Sequence, residues 1–291
     1  MSGVQPTQAY GHQAMGASKP QQHAMRRNLK RCTRFGGTAS CTTSTSAFAF
    51  GFVADPLIRC PIEQLDLWTQ VWFAASGADK QDTRHSWYKQ LVAYMSDGEL
   101  GPSYGPVAAT VGAILDLGWK PVSPDFWIID NDTSVTLNQQ PFTRMQLIAR
   151  ATEDMQKQTW KAAAKHEHGS GLELGVPSFA AAKKAISYFK KNGLYSAGKA
   201  VEYALVGFHR DLADDDVSNL AFCHRCTMRA RATRYHMIYE CPDNDNITVA
   251  IFLKTSKLAK KAKKGKETMA CYWIRGMVPY QKVSEEVAIH E

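Results

Sequence analysis

The chain has 291 residues, of which 44% are hydrophobic and 21% are charged, which excludes a disordered protein and leaves enough length for a sizeable core. Its formal net charge of +8 and isoelectric point near 9.1 favour polyanionic partners. The seven cysteines are an odd number, which argues against a disulfide framework, and the apolar runs are shorter than the roughly 18 residues that cross a bilayer. We therefore expect a globular protein of the nucleus or cytoplasm without a membrane partner.

Residues 1–46 are predicted to form a disordered basic tail. They are rich in Gln, Gly, Ser and Thr, and no acidic residue precedes Asp55, whereas six Lys and Arg residues do. Large aliphatic side chains are almost absent, so little apolar area is available to offset the entropy lost on ordering. The same composition is compatible with an organelle transit peptide, which leaves an organelle as the alternative localisation.

Residues 47–212 are predicted to form a mainly helical domain, because apolar side chains recur there about every 3.6 residues. Proline suits the first turn of a helix and glycine its end, so these residues mark several of the predicted boundaries. The predicted helices run from Pro61 to Gly77, from Ser86 to Met95, from Pro106 to Gly118, from Pro141 onward, from Ser178 to Lys191 and from Lys199 to Arg210.

One β-hairpin is predicted near residues 126–137. The apolar run Phe126–Ile129 precedes the turn-forming segment Asp130–Asp132, and Thr133–Leu137 follows as the second strand. The predicted fold class is therefore α+β and mainly helical, with a small helical core and one short hairpin.

The C-terminal region, residues 213–291, contains the strongest chemical signal. Cys223, Cys226, His236 and Cys241 follow a C-x2-C-x9-H-x4-C pattern. Two thiols of a C-x2-C turn point at one centre, and a His and a Cys one helical turn apart supply the other corners of a tetrahedron. Four protein ligands leave no position for a reactive water, so the pattern predicts a structural zinc knuckle that binds Zn²⁺. The alternative is a set of reduced, buried cysteines beside an unrelated histidine.

Basic and aromatic side chains surround this pattern. Arginine supplies phosphate contacts and tyrosine a face for stacking, a combination typical of single-stranded nucleic-acid binding. The dense lysine run that follows is predicted to be a phosphate patch or a nuclear-localisation signal, with a solvated lysine loop as the alternative. The predicted contact residues are Arg225, Arg229, Arg231, Arg234, Tyr235, Tyr239, Lys260, Lys261, Lys263 and Lys264.

No group of residues is predicted to be catalytic. Asp214–Asp216 is the strongest candidate, but this run follows a predicted helix and lacks the apolar strand that usually presents paired carboxylates. A turn at the end of that helix is therefore favoured, and we expect a binding protein without an enzymatic centre.

The segment Phe222–Pro242 resembles the zinc-binding segment that follows the polymerase in LINE-type (non-LTR) retrotransposon polyproteins, especially those of dinoflagellate-like protists. Two further stretches are similar to that family: Gly105–Pro121, with its helix and Gly-Trp-x-Pro, and Trp273–Pro279, with Trp-x-Arg-Gly-x-x-Pro. The family's aromatic-x-Asp-Asp polymerase turn and its endonuclease are not visible in this sequence. The resemblance implies a post-polymerase region that holds RNA or target DNA.

The sequence therefore predicts a retroelement-derived protein that binds RNA or single-stranded DNA. The alternative is a zinc-stabilised protein–protein interaction module, in which Trp68, Trp72, Trp87 and Trp160 supply both the core and a partner surface. The sequence leaves the oligomeric state open.

Overall fold

The computed structural model divides the chain into two compact units. The first unit comprises Met1–Cys32 and Ala49–Thr159, and the second comprises Thr33–Phe48 and Trp160–Glu291. This division differs from the boundaries predicted after residues 46 and 212. The structure describes residues 11–35, 40–97, 105–137, 143–207, 222–228, 230–233, 236–246, 258, 261–265 and 267–279.

Helices dominate the described residues, which confirms the prediction of a mainly helical protein. No described helix is both long and apolar enough to cross a bilayer. In chain order the described α-helices are α1 (His12–Met15), α2 (Lys19–Arg31), α3 (Thr42–Phe50), α4 (Pro56–Ala74), α5 (Gly77–Asp97), α6 (Pro106–Asp116), α7 (Arg144–Ala163), α8 (Ala180–Lys191), α9 (Tyr195–Val206) and α10 (Ala270–Trp273), with short 3-10 helices at Phe52–Ala54 and Leu172–Leu174.

Two small antiparallel sheets accompany the helices. In the first sheet β2 pairs with β3 and places Trp127 opposite Val135, which confirms the predicted hairpin. The sequence did not predict β1, which pairs with the other edge of β2. The strands are β1 (Lys120–Ser123), β2 (Phe126–Ile128), β3 (Ser134–Thr136), and the pair β4 (Pro177–Ser178) and β5 (Val278–Pro279) of the second sheet.

A tryptophan-rich core fills the first unit. The ring of Trp68 stacks on that of Trp72 with their centroids 6.3 Å apart, and its centroid lies 5.5 Å from that of the Trp87 ring. Trp127 of the sheet belongs to the same core and is fully buried. Trp160, in the second unit, is also buried. The alternative function gave Trp68, Trp72, Trp87 and Trp160 both a core and a partner-surface role. Their burial confirms the core role, whereas the partner-surface role is wrong, because all four side chains are covered within the chain.

The N-terminal segment contains helices, which corrects the prediction of a disordered tail up to residue 46. The side chain of Ser18 accepts a hydrogen bond from the Gln21 amide, and that of Gln21 accepts one from the Ser18 amide, a capping box that begins α2. Within the first unit, Arg26 forms an ion pair with Asp55 at 2.7 Å, and both side chains are largely buried. The composition gave no sign of this contact, because the acidic partner lies outside the segment.

Helices α4, α5 and α9 begin earlier than predicted, the last of them at Tyr195. Helix α4 begins at Pro56 and not at Pro61, because the carboxylate of Asp55 accepts the Leu57 amide at 3.1 Å and caps it. Pro61 lies inside α4, where it removes one helical hydrogen bond. Helix α5 begins at Gly77 and continues to Asp97, so it contains the predicted run from Ser86 to Met95.

A buried arginine connects three segments of the second unit. The guanidinium of Arg275 donates to the carbonyl oxygen of Leu205 at 2.9 Å and to the hydroxyl oxygen of Ser44 at 2.6 Å. The amide of Cys41 donates to the Val206 carbonyl oxygen at 2.8 Å. Residues 40–44 are therefore an integral part of this unit and not of a tail.

Candidate metal centre

A short two-stranded turn presents the first two cysteines. Phe222 and Arg231 form an antiparallel bridge, and the Cys223 amide donates to the Ala230 carbonyl oxygen at 2.8 Å. These contacts close the loop that holds Cys223 and Cys226, so the two thiols of the C-x2-C pattern lie on one side of it. The sequence predicted this arrangement from spacing alone.

A single π-helical turn, His236–Glu240, presents the other two side chains. The Cys241 amide donates to the His236 carbonyl oxygen at 2.7 Å, and the Thr233 hydroxyl accepts the His236 amide at 3.1 Å. In an α-helix, residues five apart would point about 140° away from each other, whereas a π-turn brings them to the same face. The predicted helical turn is therefore present, in a wider form that suits this spacing.

The four side chains meet at one point. The Cys3His cluster, defined as Cys223, Cys226, His236 and Cys241, has its ligand atoms within 4.8 Å of one another. The sulfur atoms of Cys223 and Cys241 are 3.8 Å apart, and the Cys226 sulfur lies 3.5 Å from Nε2 of His236. A tetrahedral ion with bonds of about 2.3 Å to sulfur and about 2.05 Å to nitrogen requires edges of about 3.8 Å and about 3.5 Å. The cluster can hold a metal ion.

The local electrostatics favour a thiolate at one corner. Burial raises the pKa of Cys223, but the amides of Arg225 and Cys226 and hydrogen bonds with His236 and Cys241 outweigh it and lower this pKa to about 7. A thiolate is the form that binds metal. By contrast, burial raises the pKa of Cys271, which lies outside the cluster, to about 12.

Side-chain hydrogen bonds next to the cluster stabilise the segments that carry its ligands. Asn244 is buried, donates to the Met237 carbonyl oxygen at 3.1 Å and accepts from Arg225 at 2.8 Å. Arg225 is exposed, but its guanidinium is engaged in this bond. It therefore supports the fold of the cluster in addition to any phosphate contact.

Tyr239 is partly buried and packs toward α10, and its predicted stacking role stays a prediction. Its hydroxyl donates to the Trp273 carbonyl oxygen at 2.6 Å, and its ring packs on Ala270 and Ile274. Burial, followed by the nearby Tyr272, raises the pKa of the Tyr239 hydroxyl. Tyr239 thus connects the π-helical turn to α10.

Part of the lysine run also lies against α10. Residues 261–265 are helical, Ala262 is buried, and Lys261, Lys263 and Lys264 are exposed. Any side chain at position 265 would collide with the indole of Trp273, so the close packing of this turn requires Gly265. Within the described residues 261–265, the basic run is therefore helical.

The structure adds one exposed aromatic residue that the sequence analysis did not select. Phe222 is 50% exposed, and it lies directly across the bridge from Arg231, which is also exposed. Paired residues of a bridge project to the same face, so an aromatic ring and a guanidinium lie side by side. An aromatic residue immediately before the first cysteine was the available signal. Four predicted contact residues, Arg229, Arg234, Tyr235 and Lys260, and the acidic run Asp214–Asp216 lie outside the described residues.

Comparison with known proteins found no matching family model, no matching curated protein and no matching solved structure.

Proposed function

We propose that residues 222–279 form a zinc-stabilised module that binds RNA or single-stranded DNA. The observation that carries the proposal is the Cys3His cluster, whose ligand atoms lie within 4.8 Å of one another. Exposed basic and aromatic side chains lie next to it in the chain. Thiolate and imidazole ligands in a closed set of four suit Zn²⁺ and leave no position for an activated water. We therefore propose a structural ion and a protein without its own polymerase or nuclease centre.

Two groups of side chains supply the proposed binding surface. Phe222 offers a ring on which an unpaired base can stack, and Arg231 beside it offers a phosphate contact. The helical turn with Lys261, Lys263 and Lys264 adds three exposed ammonium groups. Stacking together with phosphate contacts favours single strands over a duplex, in which the bases already stack on each other.

The proposed origin is a LINE-type retroelement. It is supported by the residues of Phe222–Pro242 and Trp273–Pro279, which resemble the post-polymerase region of that family. In this chain the shared Arg of the second motif is Arg275, which is buried and bonded to Leu205. The resembling residues therefore include parts of the internal framework as well as the metal ligands.

A salt titration tests the function. If Arg231, Lys261, Lys263 and Lys264 each contact one phosphate of a single strand, the affinity for a labelled 20-nucleotide oligo-dT or oligo-U should fall about 50-fold between 50 and 200 mM salt, because each contact contributes about 0.7 to the logarithmic slope. Fluorescence anisotropy measures the affinity. Phe222→Ala should weaken binding about fivefold or more without changing this slope. Absence of binding at 50 mM salt would contradict the proposal.

The second candidate function is a zinc-stabilised protein–protein interaction module. Phe222, Met228 and Leu258 favour it, because these apolar side chains are 50%, 68% and 45% exposed. An apolar interface responds little to salt, whereas phosphate contacts respond steeply. Oligonucleotide binding that is weak and insensitive to salt would therefore favour this candidate.

A further inference from the structure

The hairpin formed by helices α8 and α9 carries a second surface of exposed rings and ammonium groups. Tyr188 and Tyr195 are each 62% exposed. Lys184 and Lys191, on the same hairpin, are exposed as well. We call Lys184, Tyr188, Lys191 and Tyr195 the hairpin surface; all four lie outside residues 222–279 of the proposed module.

Helical spacing places three of these side chains together. Lys184 precedes Tyr188 by four residues and Lys191 follows it by three, so all three project from the same face of α8. The opposite face of α8 is buried through Ala182 and Ile186. From Lys184 to Lys191 the helix rises about 10.5 Å, which leaves room for one ring between two phosphate contacts.

The turn between the helices fixes Tyr195 relative to α8. Gly193 has a φ of 73°. Its amide donates to the Lys190 carbonyl oxygen at 3.2 Å, and the Leu194 amide donates to the Phe189 carbonyl oxygen at 2.8 Å. This pair of bonds is the Schellman pattern, which ends a helix in one defined geometry. The two tyrosines are therefore presented by a defined turn.

The charge of the hairpin is positive along its length. No acidic residue occurs between Glu173 and Glu202, whereas five lysines do. Glu202 is buried and forms ion pairs with Arg34 and Lys190, and no ion pair joins it to Lys184 or Lys191 of the hairpin surface. An exposed surface of this kind is complementary to a polyanion.

We propose that the hairpin surface is a second contact for single-stranded nucleic acid. Unpaired bases stack on Tyr188 and Tyr195, and Lys184 and Lys191 contact the flanking phosphates. This inference rests on the proposed function and extends it to a surface remote in sequence from the metal ligands. Duplex gains only the phosphate contacts, because its bases are not available to the rings.

The test compares three variants with the wild type. The double variant Y188A/Y195A should bind a labelled 20-nucleotide oligo-dT at least about fivefold more weakly, while Y188F/Y195F, which keeps both rings, should bind like the wild type. Tyr88→Ala is the matched control, since Tyr88 is a 69% exposed tyrosine on α5 in the first unit. It should leave the affinity unchanged. All variants should keep the melting temperature of the wild type, because the altered side chains are exposed.

Four other results would overturn the inference. A wild type that binds no oligonucleotide would overturn the proposed function and this inference together. A wild type that binds, with Y188A/Y195A equal to it, would overturn this inference alone. Equal weakening for a 20-base-pair duplex would exclude stacking as the mechanism. Binding to vesicles of phosphatidylcholine and phosphatidylglycerol that Y188A/Y195A loses, with oligonucleotide binding retained, would assign the surface to a membrane.

Discussion

In the first unit Trp68, Trp72 and Trp87 pack together in one large core, whereas few of the described residues around the Cys3His cluster are buried and apolar. Among the residues of 222–246 whose burial the structure describes, the buried apolar ones are Cys223, Ala232 and Cys241. Burial of apolar area stabilises the first unit. The described residues around the cluster bury less such area, so we expect ligand bonds to supply much of their stability. We therefore expect apolar burial to stabilise the first unit and metal–ligand bonds to stabilise the segment around the cluster.

Removal of the metal ligands should have the largest effect. The wild type should contain about one zinc per chain, and C226S/C241S should lose it, because small zinc-finger peptides derive about 10–16 kcal/mol from the metal at pH 7. Inductively coupled plasma mass spectrometry measures the zinc, and limited proteolysis should then cleave within residues 222–246. Cys32→Ser is the control, since Cys32 is exposed and lies outside the cluster. Full zinc content in C226S/C241S would refute the assignment.

Truncation of a side chain in the tryptophan core should have the next largest effect. We expect it to lower the stability of the first unit only. Trp87 is 1% exposed and its neighbour Tyr88 is 69% exposed. Trp87→Ala should lower the free energy of unfolding by about 3–5 kcal/mol, whereas Tyr88→Ala should change it by less than about 0.5 kcal/mol. Urea titration followed by circular dichroism measures both. Loss of zinc in Trp87→Ala would show that the two regions are not independent in stability.

The reactivity of the cysteine thiols should depend on pH differently in the Cys3His cluster and in the first unit. In metal-free protein, the lowered pKa of Cys223 means that its thiolate forms as the pH rises through about 7. Burial raises the pKa of Cys60 in the first unit to about 12, so that thiol stays protonated. Alkylation by iodoacetamide, mapped by mass spectrometry, should therefore accelerate at Cys223 between pH 6 and 8 and remain slow at Cys60. Equal rates would contradict this difference, and added zinc should suppress the reaction at Cys223.

The smallest effect is expected at the contact between the π-helical turn and α10. Tyr239→Phe removes the hydrogen bond to the Trp273 carbonyl oxygen and keeps the ring, so it should cost about 1 kcal/mol. Zinc content and affinity for single strands should not change. Tyr239→Ala should weaken zinc binding as well, because the ring packs on Ala270 and Ile274. A loss of single-strand affinity in Tyr239→Ala, with zinc retained, would support the predicted stacking role of Tyr239.

The features that the sequence predicted correctly are set by short covalent spacings. The spacing of Cys223 and Cys226 in a C-x2-C turn, and of His236 and Cys241 about one helical turn apart, predicted two ligand pairs, and the structure brings their four ligand atoms together. The hairpin near residues 126–137 follows from two apolar runs and the turn between them. Local chain geometry decides these features, so a pattern in the sequence can predict them.

The features that the sequence missed depend on partners far along the chain. Arg26 binds Asp55, and Lys19 contacts Asp116, so a segment with the composition of a tail becomes helical and anchored. Tyr239 lies against α10, and its hydrogen bond to the Trp273 carbonyl oxygen could not be predicted from a local pattern. Phe222 and the tyrosines of the hairpin surface were not selected, although they are exposed. Periodicity predicts that a helix has a buried face, but only the packed structure determines which side chains remain for a ligand.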